Sequence, residues 1–197
     1  MIKIVGIDYS MTCPCICVFE SDVPDFDINK CTFHFTTDTN IESPDKSKYK
    51  HYSIKEYSSN EERFFELTQW SIGCILGEDN ILPCHTMIEG YAMGGKGKVF
   101  HIGENTGYLK IELWRRGIKF DIVEPTVVKK YATGKGNSTK DIMHEEFVNR
   151  YGINLFEMFT KNSRRKKLGS PEGDIVDSAF ICSYACNKMK ETFLELD

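Results

Sequence analysis

The stretch that decides the fold is residues 2–10, IKIVGIDYS, a short apolar run rich in β-branched side chains that stops at Asp8. Such a run predicts a strand buried on both faces, central in a mixed or parallel sheet. An ionised acid at its end is costly to bury unless a cation or several donors compensate the charge. Taken alone, Asp8 is equally compatible with a turn-forming residue, so its interpretation depends on where the other carboxylates fall.

The length and composition indicate a globular protein with one domain. A chain of 197 residues with 41% hydrophobic side chains suits a single α/β domain over residues 1–197. The N-terminus lacks the features of a signal peptide and no segment approaches a membrane span, so we expect a cytoplasmic protein. The net charge of −4 argues against nucleic-acid binding by bulk charge, but residues 129–140 and 161–167 are strongly basic.

The eight cysteines include no Cys-x-x-Cys pair. Buried thiols behave as small hydrophobic side chains, so most of them are predicted to be reduced core residues. A zinc site using Cys31, Cys74, Cys84 or some of the five histidines stays open at this point.

The first three strands are predicted to form an antiparallel meander. Residues 13–20 and 31–37 follow the opening strand as apolar or alternating runs. Residues 38–59 are polar and read as an excursion that could include a short strand at 50–55. With further strands at 83–89 and 118–123, the pattern predicts an α/β fold with a mixed five-stranded sheet flanked by helices.

Helices are predicted where apolar residues recur at helical spacing between capping signals. The predicted helices cover residues 60–76, 105–116, 126–131, 139–150 and 172–193, with Asn60 as the cap of the first. The glycine-rich segment 90–107 reads as a loop facing the substrate.

Three further carboxylates lie at positions that bear on the role of Asp8. Glu89 ends the strand at 83–89, as Asp8 ends the first strand, and Asp174 and Asp177 share a face near the start of the last helix. Asp174 alone is explained by a favourable place near a helix N-terminus. The four acids together would repel each other unless divalent cations neutralise them, and ligation by oxygen alone favours Mg²⁺ or Mn²⁺.

An ordered set of motifs along nearly the whole chain resembles the RuvC group of Holliday junction resolvases. The set is Gly6-Ile7-Asp8, Ile88-Glu89, Val128-Lys129, Gly134-x-Gly136, Lys140 and Asp174-x-x-Asp177. The resemblance implies a ribonuclease H-like fold, a homodimer, and cleavage of four-way DNA junctions with two Mg²⁺ ions in recombination and repair. Unlike the bacterial enzymes, which usually have Pro-Gly after the first acid, this chain has Tyr9-Ser10. This departure resembles the divergent phage-encoded branch and points to a bacterial or phage-infected cell.

The resemblance also assigns site residues. The four acids, Asp8, Glu89, Asp174 and Asp177, match the family's catalytic metal ligands. Lys129 and Lys140, separated by 140 − 129 = 11 positions as in the family, match its functional lysines, and Lys140 counts among the catalytic residues. The family's aromatic wedge is poorly matched, with Tyr91 and Phe100 as candidates.

The remaining basic residues are candidates for binding the phosphates of the junction arms. They are Lys96, Lys98, Lys135, Lys161, Arg164, Arg165, Lys166 and Lys167. The alternatives are a solvated helix surface for the two functional lysines and a basic loop without function.

The mechanism that this set implies is two-metal hydrolysis of a phosphodiester, giving a 5′-phosphate and a 3′-hydroxyl, with Mn²⁺ able to replace Mg²⁺. Three alternatives stay open. The fold could serve a nuclease for flaps, other branched DNA or RNA–DNA hybrids. The Gly-x-Asp opening also begins actin-like phosphotransferases, although the chain is too short for their two lobes. The protein could also bind junctions without cutting them.

Overall fold

The computed structural model describes residues 1–37, 41–53, 56–91, 99–161 and 165–194. Its strands are β1 (Ile2–Asp8), β2 (Cys15–Ser21), β3 (Cys31–Thr37), β4 (Tyr49–Ser53), β5 (His85–Glu89) and β6 (Phe120–Val123). Its helices are α1 (Asn60–Leu76), α2 (Val99–Arg115), α3 (Pro125–Thr133), α4 (Lys140–Tyr151), α5 (Leu155–Thr160) and α6 (Glu172–Leu194). The mixed α/β architecture predicted from the sequence is confirmed.

The six strands form one sheet in the order β4-β3-β2-β1-β5-β6. The pairs β1–β2 and β2–β3 are antiparallel, which confirms the predicted meander. The pairs β1–β5, β5–β6 and β3–β4 are parallel. β1 is therefore central, and its interior residues are buried on both faces as its apolar sequence predicts.

Helices cover both faces of this sheet. On one face, α6 packs along β1 and β2 together with α3, α4 and α5, and the aromatic side chains of Phe19, Phe33, Phe147 and Phe180 fill this core. On the other face, α1 and α2 pack against Val5, Ile7 and Ile16. Helices on both faces hold the sheet in place, so the ends of its strands have fixed positions. The predicted site lies at these strand ends.

The sheet has one strand more than the five expected. The additional strand, β4, pairs in parallel with β3, and its Tyr49 stacks on Phe33 with ring centroids 5.6 Å apart. It starts one residue before the short strand considered at 50–55. Burial of the Tyr49 ring stabilises a segment whose sequence is otherwise polar.

The start of α2, the presence of α5 and the cap of α1 also differ from the prediction. α2 begins at Val99, so the glycine-rich loop predicted over 90–107 is shorter than expected, and residues 92–98 of it lie outside the described residues. α5 was not predicted, and α1 is capped by Ser59, whose side chain accepts a hydrogen bond from the Glu62 amide, and not by Asn60. Short helices and helix ends depend on capping and tertiary contacts that periodicity does not report.

Six cysteines are buried and all eight are free thiols, as predicted. Among the described residues, no helix is both long and apolar enough to span a membrane.

Candidate active site

The two strand-end acids lie side by side at one edge of the sheet. β1 and β5 are parallel neighbours, and Ile7 pairs with Ile88 in the register. The next residue on each strand is an acid, Asp8 on β1 and Glu89 on β5. Because parallel strands end at the same edge, the fold brings these two carboxylates together as the sequence predicts. Both remain partly accessible to solvent.

Asp174 and Asp177 reach the same edge of the sheet because their helix, α6, crosses β1 at Gly6. A Cβ atom on Gly6 would lie only 2.3 Å from the amide nitrogen of Cys182, so the helix rests directly on the strand backbone. Asp174 and Asp177 occupy the first turns of this helix. Asp174 is buried and Asp177 is half-buried.

The four acids influence one another's ionisation. Burial is the largest cause that raises the pKa of Asp8 well above its usual value, and the charges of the other three acids are the next causes. Burial, followed by the charge of Asp177, raises the pKa of Glu89 to about 7. Burial also raises the pKa of Asp177 to about 6, with Lys140 opposing the shift and Asp174 adding to it. Such mutual repulsion favours either protonation or a bound cation.

Lys140 forms an ion pair with this cluster. It is the first residue of α4, whose cap Thr139 accepts a hydrogen bond from the Ile142 amide, and its Nζ lies 3.4 Å from Oδ1 of Asp174. Burial disfavours the charged lysine, but the acids, Asp174 foremost, outweigh it and raise the pKa of Lys140. The side chain lies over Gly173, where a Cβ would be 3.3 Å from the lysine Cδ. About half of the side chain is exposed, so it can also reach a ligand.

Lys129 approaches the cluster from α3. Its charge acts on both Glu89 and Asp177 in the direction that lowers their pKa. Lys135 is exposed in the connection from α3 to α4, where its carbonyl accepts hydrogen bonds from Thr133 and Ser138. The structure therefore places Lys140 in contact with the acids and Lys129 within electrostatic reach of them.

The other predicted DNA-binding residues differ in their surroundings. Tyr91 follows Glu89 by two positions, and its hydroxyl donates to the carbonyl of Gly103 at 3.4 Å while Lys110 lies over its ring. Lys166 and Lys167 are exposed. Three predicted contacts, Lys96, Lys98 and Arg164, lie outside the described residues.

Arg165 has a protein partner that sequence reasoning missed. Its guanidinium pairs with the carboxylate of Glu172, a side chain with no exposed surface, and donates to the carbonyl of Ser170 at 2.8 Å. In the sequence, Glu172 has the ordinary signature of an acid in a first helical turn, and nothing in the sequence reveals that it is buried. The spacing of Glu172 and Arg165 could not identify them as partners, because a basic run such as the one around Arg165 is equally typical of phosphate contacts.

The donor chemistry of the four acids fits a hard divalent cation. All the candidate ligand atoms are carboxylate oxygens, and Oδ2 of the buried Asp174 has no hydrogen-bond partner among the described residues. Within those same ranges, no three His, Cys, Asp or Glu side chains are arranged so that they could hold a metal ion as they stand. Metal binding would therefore require the carboxylates to rotate towards a common point.

Two kinds of comparison with known proteins gave no match: no protein-family model matches the sequence, and no curated protein does. Solved structures do match. Thermus thermophilus RuvC superposes with a TM-score of 0.58 at 14% identity, covering 97% of this chain and 98% of that chain. The same protein in complex with a Holliday junction substrate gives a TM-score of 0.61 at 12% identity, covering 96% of this chain and 97% of that chain.

A third similar structure comes from a different source. The yeast mitochondrial Holliday junction resolvase Ydc2 gives a TM-score of 0.54 at 15% identity, covering 99% of this chain and 86% of that chain. At such identities, a likeness over nearly the whole of each chain establishes the fold. The chain therefore has the ribonuclease H-like fold of the RuvC-type Holliday junction resolvases.

Proposed function

We propose that this protein is a structure-selective DNA endonuclease that resolves four-way junctions. The observation that carries the proposal is the convergence of Asp8, Glu89, Asp174 and Asp177 beside Lys140, on the fold that RuvC uses in its junction complex. The pKa of each of these acids is raised, and such shifts are common at functional sites.

In this proposal the four carboxylates of Asp8, Glu89, Asp174 and Asp177 would hold two Mg²⁺ ions. The chemistry that two such ions supply is activation of a water and stabilisation of the leaving 3′-oxygen, which gives a 5′-phosphate and a 3′-hydroxyl. Mn²⁺ has the same preference for oxygen ligands and would replace Mg²⁺.

The two lysines have a separate role, since neither can ligate a metal while charged. Lys140 lies within reach of Asp174 and is half exposed, so its ammonium can hold a phosphate oxygen at the edge of the cluster. Lys129, whose charge acts on Glu89 and Asp177, would hold an adjacent phosphate. The exposed lysines Lys135, Lys166 and Lys167 would bind the junction arms and orient the substrate without reading its bases.

Paired cuts across a junction require two active sites, so we also propose a symmetric homodimer. The exposed face of α2 is a better candidate for the dimer interface than that of α1. Phe100, Ile111 and Trp114 lie on one face of it, and Phe100 and Trp114 are 84% and 76% exposed. Gly103 and Gly107 lie between them, and a Cβ on either would meet no atom within 4 Å, which leaves room for a second helix. On α1, the ring of Phe65 packs against Tyr108 of α2.

The deciding experiment compares a labelled four-way junction with a linear duplex of the same arm sequences, in Mg²⁺ or in EDTA. Paired nicks in the junction that require the metal, with an intact duplex, are the expected result. Equal cutting of both substrates, or preferred cutting of flaps, would keep the metal site but replace the junction by another substrate. Binding without cutting in any divalent metal would favour a non-catalytic junction-binding protein.

A further inference from the structure

Arg165 connects the basic segment before α6 to the beginning of that helix. Its guanidinium forks between two acceptors, the Ser170 carbonyl and the Glu172 carboxylate. Gly169 packs against the same guanidinium, where a Cβ would lie 3.1 Å from one of its nitrogens. A rigid, planar guanidinium held by two acceptors fixes their relative position, which a single-point lysine contact would not do.

Both acceptors lie close to Asp174 in the chain. Ser170 precedes α6 by two residues, and Glu172 precedes Asp174 by two residues on the first turn of α6. Arg165 thus fixes the first turn of the helix that carries Asp174, and Ser170, Arg165 and Glu172 together form a support for this turn. Lys140, on α4, lies 3.4 Å from Asp174 Oδ1.

The electrostatics of this support depend on Arg165. Glu172 is fully buried, and its Oε2 has no hydrogen-bond partner among the described residues. Without the guanidinium, an uncompensated buried carboxylate would lie two residues from a metal-ligand candidate on the same helix turn. Removing one partner of a buried ion pair is strongly destabilising, because the other charge is left without compensation.

We propose that Arg165 and Glu172 are positioning residues that orient Asp174 for metal binding, and that Arg165 is not a phosphate contact. This inference rests on the proposed function, since it assumes that Asp174 ligates a metal. It separates Arg165 from Lys166 and Lys167, which are adjacent in sequence but exposed. Residues that orient a metal ligand through hydrogen bonds typically change metal affinity 10–100-fold when they are replaced.

Two measurements on the purified protein separate this role from DNA binding. The first is the Mn²⁺ dissociation constant by titration calorimetry without DNA. The second is the salt dependence of junction affinity in EDTA, whose slope falls by about one for each phosphate contact that is lost. The variants are R165A, R165K and, as matched controls for loss of one positive charge, K166A and K167A.

For R165A we expect Mn²⁺ affinity to fall at least ~10-fold with an unchanged salt slope. For R165K, which keeps the charge but loses the fork, we expect an intermediate loss of Mn²⁺ affinity, and this variant keeps the test valid if R165A fails to fold. For K166A and K167A we expect a smaller salt slope with Mn²⁺ affinity unchanged. E172Q, which keeps the shape of the side chain, should weaken Mn²⁺ binding as R165A does.

The outcomes distinguish the two proposals. Wild-type protein that binds no Mn²⁺ would overturn the proposed two-metal site. Wild-type protein that binds Mn²⁺ together with an R165A variant of equal affinity would overturn only the positioning role. An R165A salt slope reduced as much as that of K166A would return Arg165 to the phosphate contacts.

Discussion

Gly6 of β1 touches the backbone of α6, so that a Cβ atom on Gly6 would lie 2.5 Å from the carbonyl oxygen of Ser178. This contact sets the distance between the strand that ends in Asp8 and the helix that carries Asp174. A side chain at position 6 would have to push the whole helix outward, because the obstructing atoms are backbone atoms.

The first prediction concerns this contact. Gly6→Ala should lower the free energy of unfolding by about 1–3 kcal/mol, as overpacking of a core does. It should also weaken Mn²⁺ binding, because the two halves of the site move apart. Urea unfolding and calorimetry measure both. Gly73→Ala is the matched control, since a Cβ there meets nothing within 4 Å, and alanine in a helix should stabilise by up to ~1 kcal/mol.

A G6A variant with wild-type stability and metal affinity would show that α6 can shift at no cost. The strand and the helix would then not be held at a fixed spacing.

The second prediction concerns Asp8. Asp8→Asn should abolish junction cleavage while leaving junction binding intact, because the substitution removes one ligand charge and keeps the shape. It should also stabilise the metal-free protein, since one charge leaves a cluster of four mutually repelling acids. Cleavage assays, a binding titration in EDTA and thermal unfolding report the three effects. Asp22→Asn, at an exposed loop position, should change none of them. Cleavage by D8N at the wild-type rate would remove Asp8 from the mechanism.

The third prediction is a pH dependence that a metal should cancel. The pKa values of Glu89 and Asp177 are raised to about 7 and about 6, from ordinary values of 4.5 and 3.8. The folded protein therefore binds more protons than the unfolded chain between pH ~4 and pH ~7, and its stability in EDTA should fall as the pH rises through that window. We expect a loss on the order of 2–4 kcal/mol.

Denaturant unfolding near pH 5 and near pH 8, in EDTA and in Mg²⁺, measures this dependence. Mg²⁺ should stabilise much more at the higher pH, where the acids are ionised. Glu89→Gln removes the higher of the two pKa values and should flatten the EDTA profile. A wild-type stability in EDTA that increases from pH 5 to pH 8 would contradict the assigned direction of both shifts.

The fourth prediction concerns Lys140. Lys140→Ala should lower the rate of junction cleavage by about 10²-fold or more, since a preorganised charge at the reacting phosphate is removed. Single-turnover cleavage at saturating protein isolates this step from binding. Lys119→Ala removes an exposed lysine between α2 and β6 and serves as the control. If K140A cuts as fast as wild type, the phosphate-holding role is wrong.

The fifth prediction concerns the exposed face of α2. Trp114→Lys should convert a dimer into a monomer, because a charge on each copy would be buried at the proposed symmetric interface. Light scattering after size-exclusion chromatography gives the mass directly. Leu82→Lys changes an exposed apolar residue outside the helices in the same way and should leave the mass unchanged. A wild-type protein that is monomeric at micromolar concentration would rule out this interface.

The sequence predicts the parts of the site that depend on local pattern. Asp8 and Glu89 each end a short apolar strand, and Asp174 and Asp177 have helical spacing, so their elements could be assigned without tertiary information. That these elements meet follows from parallel pairing of β1 with β5. The remainder of the site depends on contacts between distant segments. The close approach of Gly6 to Ser178 and the burial of Glu172 have no local signature.

The same difference between local sequence pattern and contacts of distant segments explains where the predicted fold was wrong. β4 contains lysine, histidine and serine, so its own sequence does not favour a strand. It forms one because it hydrogen-bonds to the edge of β3 and because the Tyr49 ring packs against Phe33 and Phe159. α5 is a single short helix whose Leu155 and Phe159 are held by the core. In both cases tertiary burial outweighs weak local preference.

The close packing of α6 against β1 has a consequence for how the protein folds. Asp8 precedes Asp174 by 174 − 8 = 166 positions, so the site joins two segments that are far apart in the chain. The loop-closure entropy of so long a separation must be overcome before the contact between them forms, which slows folding. A fragment that lacks α6 would carry only two of the four acids, so the proposed cleavage would require a chain in which this distant contact has formed.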